Sequence, residues 1–229
     1  MTSVSRRLFL ALPAAAAAAG LMRPAFALSE AQQLVEKSRL AFLDMITDEN
    51  YKEMRSYVKE ARALLIFPDL VKGAFVVGAE GGSGVLVTRN TKPGEGWSYP
   101  AFYTLAEGSL GLQIGGQVSE LVLTLMSEKA LNAIINDQFK IGGNIDVAVG
   151  PIGKGLSAAT ATGLSADAYS FAKTQGAYVG LSLDGAGILS RQSRDEEYYG
   201  AGATSANIVI YRKYSNHNAQ ILRDALAPY

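Results

Sequence analysis

The sequence predicts an α+β domain: an antiparallel, glycine-rich β-sheet or partial barrel, flanked by N-terminal helices, one mid-chain helix and a C-terminal helix. Three observations predict this. Glycine is absent from residues 29 to 66, while residues 73 to 187 hold 21 of the 24 glycines. The apolar period changes from helical to alternating near Lys72. The later strand-like runs recur every 8 to 12 residues with turn signals between them, the spacing of an antiparallel sheet.

Taken in order, the first 27 residues read as an export signal. Arg6 and Arg7 make a charged start, Leu8 to Gly20 is a short alanine-rich apolar run, and Ala25-Phe26-Ala27 is a small-x-small cleavage site. Ser5-Arg6-Arg7-Leu8-Phe9-Leu10 fits the twin-arginine pattern, which implies export of a folded chain. An ordinary secretory signal carrying two arginines is the other reading. Both lead to a periplasmic or secreted protein. Residues 28–229 form one domain, long enough to bury a sizeable core.

Ser29 caps the first helix, with Gln32 completing a capping box. Ala31, Leu34, Val35, Ala41, Phe42 and Met45 follow at helical spacing. Asn50 and Glu53 suggest a second capping box. The helix expected after it, over residues 51 to 66, has three faces. Met54, Val58, Ala61 and Leu65 are apolar; Lys52, Arg55, Lys59 and Arg62 are basic; Glu53 and Glu60 lie on the far side. Pro68 is expected to end this helical region. Asp44, Asp48 and Glu49 stand where acids suit the start of the next helix.

"AFVVGAE" and "GVLVTR" read as strands, with Gly81-Gly82-Ser83 as the turn between them. "KPGEG" turns the chain before "WSYPAFYTL", and "GSLGLQIGG" and "SELVLTLM" follow as strands. Ser127 caps a short helix with Leu131, Ile134 and Ile135 on one face. "NIDVAVGPIG", "DAYSFAK", "GAYVGLSLDG" and "GILSRQ" give further strands, Asp184-Gly185 is a hairpin signal, and "AQILRDAL" is a closing helix. Similar glycine-centred strand pairs recur along the chain, as a duplication or as the shared grammar of hairpins.

Composition removes several kinds of chemistry. There is no cysteine, which excludes disulfides, thiolate metal sites and cysteine nucleophiles. His217 is the single histidine, so a Ser-His-Asp triad or a multi-histidine zinc site is not expected. The first 27 residues hold three arginines and no acid, leaving 18 basic against 21 acidic residues and a net charge of −3. That balance argues against general nucleic-acid binding.

Motif tests agree. A phosphate-cradling loop needs a helix after its glycines, but Gly84 is followed by Val85-Leu86-Val87-Thr88. "GPIGKGLS", residues 150 to 157, has Ala148 where a P-loop needs glycine; an anion nest beside Lys154 and a plain turn remain as readings. Asp195, Glu196 and Glu197 read as a solvated turn. No catalytic residue, metal site or cofactor is expected. Trp97, Tyr99, Phe102 and Tyr103 cluster at a loop-to-strand junction, as core filling or as rings for a membrane interface.

At "LLIFPDLVKGAFVVGAEGGSGVLVTR", "GWSYPAFYTLAEGSLGLQIGGQVSELVL", "GPIG", "GAYVGLSLDG" and "YYG" the chain resembles the SYLF domain family, from about residue 30 to about 212. The resemblance implies an α+β domain without agreed catalytic residues. It implies lipid binding, especially of phosphoinositides, as in eukaryotic members, and actin binding as in yeast members; bacterial secreted members are mostly lone domains. SH3 and FYVE modules are not expected within these residues, and actin and phosphoinositides are not periplasmic partners. What carries over is a module that meets phospholipid head groups.

The basic stripe of Lys52, Arg55, Lys59 and Arg62, with Lys72 at the first strand, is the candidate lipid-binding surface. Cations on one helix face suit anionic head groups, at about 1 kcal/mol each in low salt. The same stripe also reads as a solvated face whose aliphatic stems cover core edges. The expected function is a non-enzymatic, phospholipid-binding module of the bacterial envelope. The alternative is a protein-interaction or envelope-scaffold module using sheet edges or the C-terminal helix.

Overall fold

The computed structural model describes residues 28–72, 81–90, 96–106, 117–151, 166–174 and 185–229. The export signal, "AFVVGAE", most of "KPGEG", "GSLGLQIGG", most of "GPIGKGLS" and most of "GAYVGLSLDG" lie outside the described residues. Six helices are described: α1 (Glu30–Thr47), α2 (Met54–Glu60), α3 (Glu128–Ile135), α4 (Gln192–Tyr199), α5 (Ser205–Val209) and α6 (Gln220–Leu226). The strands are β1 (Ala63–Lys72), β2 (Gly81–Thr88), β3 (Ala101–Ala106), β4 (Gln117–Leu125), β5 (Phe139–Lys140), β6 (Val147–Val149), β7 (Ala168–Thr174) and β8 (Gly187–Ser190). They form one curled sheet, a half-barrel, in the order β5-β8-β3-β2-β1-β4-β7-β6.

The α+β class, the N- and C-terminal helices and the mid-chain helix are as the sequence predicts. Among the described strands the sheet departs from a purely antiparallel one where β6 runs parallel to β7. The central strands β1 and β4 are buried on both faces, which is why "ALLIF" is continuously apolar and "LVLTL" is broken only by the buried Thr124. Side chains alternate between two cores. Leu65, Phe67, Leu86, Tyr103 and Leu123 point to one, closed by α3 and α5. Leu64, Ile66, Val85, Phe102 and Val122 point to the other, closed by α1, α2 and α6.

Caps explain several helix starts. Ser29 accepts from the Gln32 amide at 3.1 Å, and Ser127 accepts from the Ala130 amide at 3.0 Å. Gln32 does not complete a capping box. Its side chain donates to the Asn218 carbonyl at 3.1 Å and accepts from the Tyr198 hydroxyl.

The second helical region differs from expectation. The helix over residues 51 to 66 is only α2; Ala61 is extended and Leu65 lies on β1. A run of five apolar residues buried on two faces favours the strand there, although Leu65 continues the helical spacing. Pro68 therefore sits within β1, where the register shifts between Phe67 and Leu70, a place that needs no proline donor. The Asn50/Glu53 capping box is absent. Asp48 instead accepts from the Asn50 amide at 2.9 Å and opens a 3₁₀ turn over Glu49–Tyr51. Glu53 makes no side-chain capping bond to α2.

Gly81-Gly82-Ser83 is the start of β2, not a turn. The reason for glycine is close approach. A Cβ on Gly84 would lie 2.4 Å from the Phe67 ring and 2.6 Å from the Ile66 carbonyl oxygen; one on Gly82 would lie 2.6 Å from the Asp69 carbonyl oxygen. The bulged strand β1 presses on β2 here. Strand, not helix, continues past Gly84, so no phosphate-cradling loop forms.

The acidic run Asp195-Glu196-Glu197 is not a solvated turn. It lies in α4, and Asp195 is fully buried. The aromatic cluster belongs to the core. Phe102 and Tyr103 are fully buried on opposite faces of β3. Trp97 is buried, and its indole N–H donates to the Leu226 carbonyl at 3.0 Å. The Arg89 guanidinium stacks 4.3 Å from the Trp97 ring centroid and donates to the Val58 and Ala61 carbonyls at the end of α2. Arg89 thus joins β2, Trp97 and α2 in one contact.

Candidate functional site

α2 is anchored by two side chains. Met54 and Val58 are fully buried and leave two sides of the helix in solvent. The basic side is where the sequence predicts a lipid-binding stripe, and the structure divides that stripe.

Lys52 is 53% exposed and lies 3.8 Å from Glu53, too far for a strong ion pair. Lys59 is exposed in the last turn of α2 and has no ion-pair partner among the described residues. These two lysines, seven residues apart along the chain, stand about 10 Å apart along the helix axis.

Arg55 is committed elsewhere. Its Nε donates to the Ile46 carbonyl at 2.9 Å, and one terminal nitrogen reaches Glu49 at 3.3 Å. It satisfies the open carbonyl end of α1 and complements that helix's dipole. Arg62 follows the helix and pairs with Glu128 at the start of α3, at 2.5 Å. Lys72 is not part of this surface. It ends β1, opposite Gln117 of β4, about 30 Å along the strand from Arg62 at the usual rise per residue; its side chain lies outside the described residues. Of the four predicted residues whose side chains are described, Lys59 has no ion-pair partner among the described residues and Lys52 has only the 3.8 Å approach of Glu53.

The adjoining, acidic side of α2 borders a solvent-open groove of about 460 Å³. Glu53, Ser56, Tyr57 and Glu60 line it from the helix, and Met126, Pro151, Ala166 and Tyr169 from across. The Tyr57 and Tyr169 rings are 4.5 Å apart between centroids, and Phe171 backs Tyr57 at 5.5 Å. Burial holds the Tyr57 hydroxyl above its ordinary pKa, with Tyr169, Glu53 and Glu60 adding to the effect. The sequence shows Glu53, Ser56, Tyr57 and Glu60 at helical spacing. Tyr169, from a strand far along the chain, has no local signal.

A second charged cluster lies where α1 crosses β4 and β7. Lys173 of β7 contacts Asp44 at 2.6 Å and Asp48 at 3.2 Å, and pairs across strands with Glu120 of β4. Burial, reinforced by the Asp44 charge, pushes the Glu120 carboxyl up to about 7. Among the described residues no three His, Asp or Glu side chains are grouped to hold a metal ion. No described helix is long and apolar enough to cross a membrane.

Comparison with known proteins bears on this arrangement. The chain is 34% identical over 155 residues to SH3 domain-containing YSC84-like protein 1 of Xenopus laevis, covering 67% of this chain and 45% of that protein. The same-named protein of Homo sapiens is 34% identical over 143 residues, with 62% and 41% covered. Protein YSC84 of Saccharomyces cerevisiae is 32% identical over 158 residues, with 68% and 33% covered. The chain therefore spans less than half the length of these relatives. Residues 106–229 match the family model described as Ysc84, Las17-binding protein actin regulator. That match takes in β4 to α6, hence most of the sheet and both outer helices of one core, and on it the chain belongs to the Ysc84/SYLF family.

Proposed function

We propose that the chain is a non-catalytic module of the bacterial envelope that meets anionic phospholipid head groups through the basic side of α2. The observation that carries this reading is the Lys52–Lys59 pair: two exposed ammonium groups, one in the turn just before the core-anchored helix α2 and one in its last turn. Arg62 joins them by exchanging Glu128 for a phosphate. Two or three surface cations give a weak attraction, about 1 kcal/mol each, that salt screens. Attachment is therefore peripheral and reversible. The test is sedimentation at low salt with vesicles of phosphatidylcholine mixed with phosphatidylglycerol. Wild-type protein sediments, and the Lys52→Glu, Lys59→Glu double variant stays in solution. A folded double variant that sediments like wild type removes this face from the reading.

A second reading has its own support. Glu49, Glu53 and Glu128 lie against Arg55, Lys52 and Arg62, which lowers the net positive field of the face. The family's description names a protein partner, Las17. A protein-interaction module of the envelope fits both facts. It prevails if wild-type protein ignores anionic vesicles and a periplasmic pull-down recovers one protein in stoichiometric amount.

A further inference from the structure

We propose that the groove on the acidic side of α2 binds an extended basic segment of a partner protein, carrying two cationic side chains about three residues apart. It uses the side of α2 that adjoins the basic one, with Glu53 next to Lys52, and does not depend on the phospholipid reading.

The groove has the parts that such a segment needs. Its floor is aromatic and apolar: Tyr57 and Tyr169 at 4.5 Å, with Met126 and Pro151 beside them. Val149, two residues before Pro151 on the edge strand β6, is 57% exposed and adds apolar surface at that end of the sheet. The rim carries Glu53 and Glu60. Glu53 has only the 3.8 Å approach of Lys52, and Glu60 has no ion-pair partner among the described residues. Both carboxylates contribute to the raised Tyr57 pKa, which places their fields over that ring. A guanidinium lying on the Tyr57 face meets the ring's negative face and a carboxylate together.

Spacing selects the kind of ligand. Glu53 and Glu60 are seven helical residues apart, about 10 Å. A polyproline II segment advances about 3.1 Å per residue with three residues per turn, so its residues i and i+3 share one face about 9 Å apart. A β-strand puts same-face side chains at i and i+2, about 7 Å apart, and fits less well. Aromatic-lined grooves suit the polyproline II backbone. A choline or ethanolamine head group offers one cation, against two carboxylates, and the groove is open rather than a closed aromatic cage.

The test is fluorescence anisotropy at low salt with a labelled peptide of repeated Arg-Pro-Pro units. Saturable binding is expected, weakened at least tenfold in the Glu53→Gln, Glu60→Gln double variant. A peptide of equal charge with its arginines adjacent binds at least tenfold more weakly. The Lys52→Glu, Lys59→Glu variant, which removes positive charge beside the rim, binds the peptide at least as tightly as wild type while losing vesicle binding, which separates this groove from the lipid-facing side. No saturable binding, unchanged affinity in a glutamine double variant with native circular dichroism, or equal affinity for the adjacent-arginine peptide each overturns the proposal. So does displacement of the peptide by pure phosphatidylcholine vesicles, which assigns the groove to a head group.

Discussion

The carboxyl of Asp195, fully buried on α4, accepts a hydrogen bond from the Phe102 amide at 2.9 Å through one oxygen. Its second oxygen is buried without a hydrogen-bond partner among the described residues. The contact joins α4 to the middle of β3 and supplies an acceptor for that amide. Burial pushes the carboxyl up to about 7, against the lowering effect of the Phe102 amide and with a further rise from Glu196.

That position gives the protein a pH dependence of definite sign. The folded state holds the Asp195 proton more tightly than the unfolded chain, whose carboxyl titrates near 3.8. The contribution is complete below that value and is lost as pH rises toward 7. Glu120, also raised to about 7, acts in the same direction. Denaturant unfolding at pH 5 and pH 8 is expected to show lower stability at pH 8. The Asp195→Asn variant keeps the acceptor for Phe102 and loses Asp195's share of that difference, on the order of 2–3 kcal/mol, while Glu120's share remains. An unchanged pH profile in the variant would falsify the assignment.

Gly84 is expected to tolerate no side chain. Its absent Cβ would meet both the Phe67 ring and the Ile66 carbonyl oxygen. Gly84→Ala should cost about 1–3 kcal/mol, the range for overpacking a core. Shortening Phe67 to Leu relieves only the ring contact, because the backbone oxygen stays at 2.6 Å. Thermal melts of the single and double variants check this; full rescue by Phe67→Leu would show that the backbone contact is unimportant.

Arg55 should affect stability and not vesicle binding. Arg55→Ala frees the Ile46 carbonyl and leaves Glu49 unpaired, at a cost of about 1 kcal/mol. The folded variant still sediments with anionic vesicles because Lys52 and Lys59 remain. Comparing urea midpoints and sedimentation for Arg55→Ala and the double lysine variant gives opposite patterns. Loss of sedimentation on Arg55→Ala, with stability intact, would return Arg55 to the contact surface.

Much of the fold is written locally in the sequence. Ser29 and Ser127 announce helices because a hydroxyl beside an unpaired amide acts within three residues. The alternation in β2 and β3 and the apolar runs of β1 and β4 identify strands because side-chain direction has a period of two. The absence of cysteine and the single histidine restrict the chemistry through composition alone. Family motifs in their order are local information of the same kind.

Other features are set by what lies across the fold. The end of α2 is decided by Ala63 to Phe67 pairing with β2 and β4, which outweighs a helical spacing that continues to Leu65. The glycines at 82 and 84 look like turn residues until β1 is placed against them. Asp195 looks solvated until Phe102 offers its amide. Arg55 and Lys59 are equivalent cations on a helical wheel; only the position of α1 turns the first inward and leaves the second free. Tyr169 joins Tyr57 through strand order. Period, caps and composition act within a few residues and can be read from the chain, whereas burial and pairing are sums over distant neighbours and exist only once the sheet has brought them together.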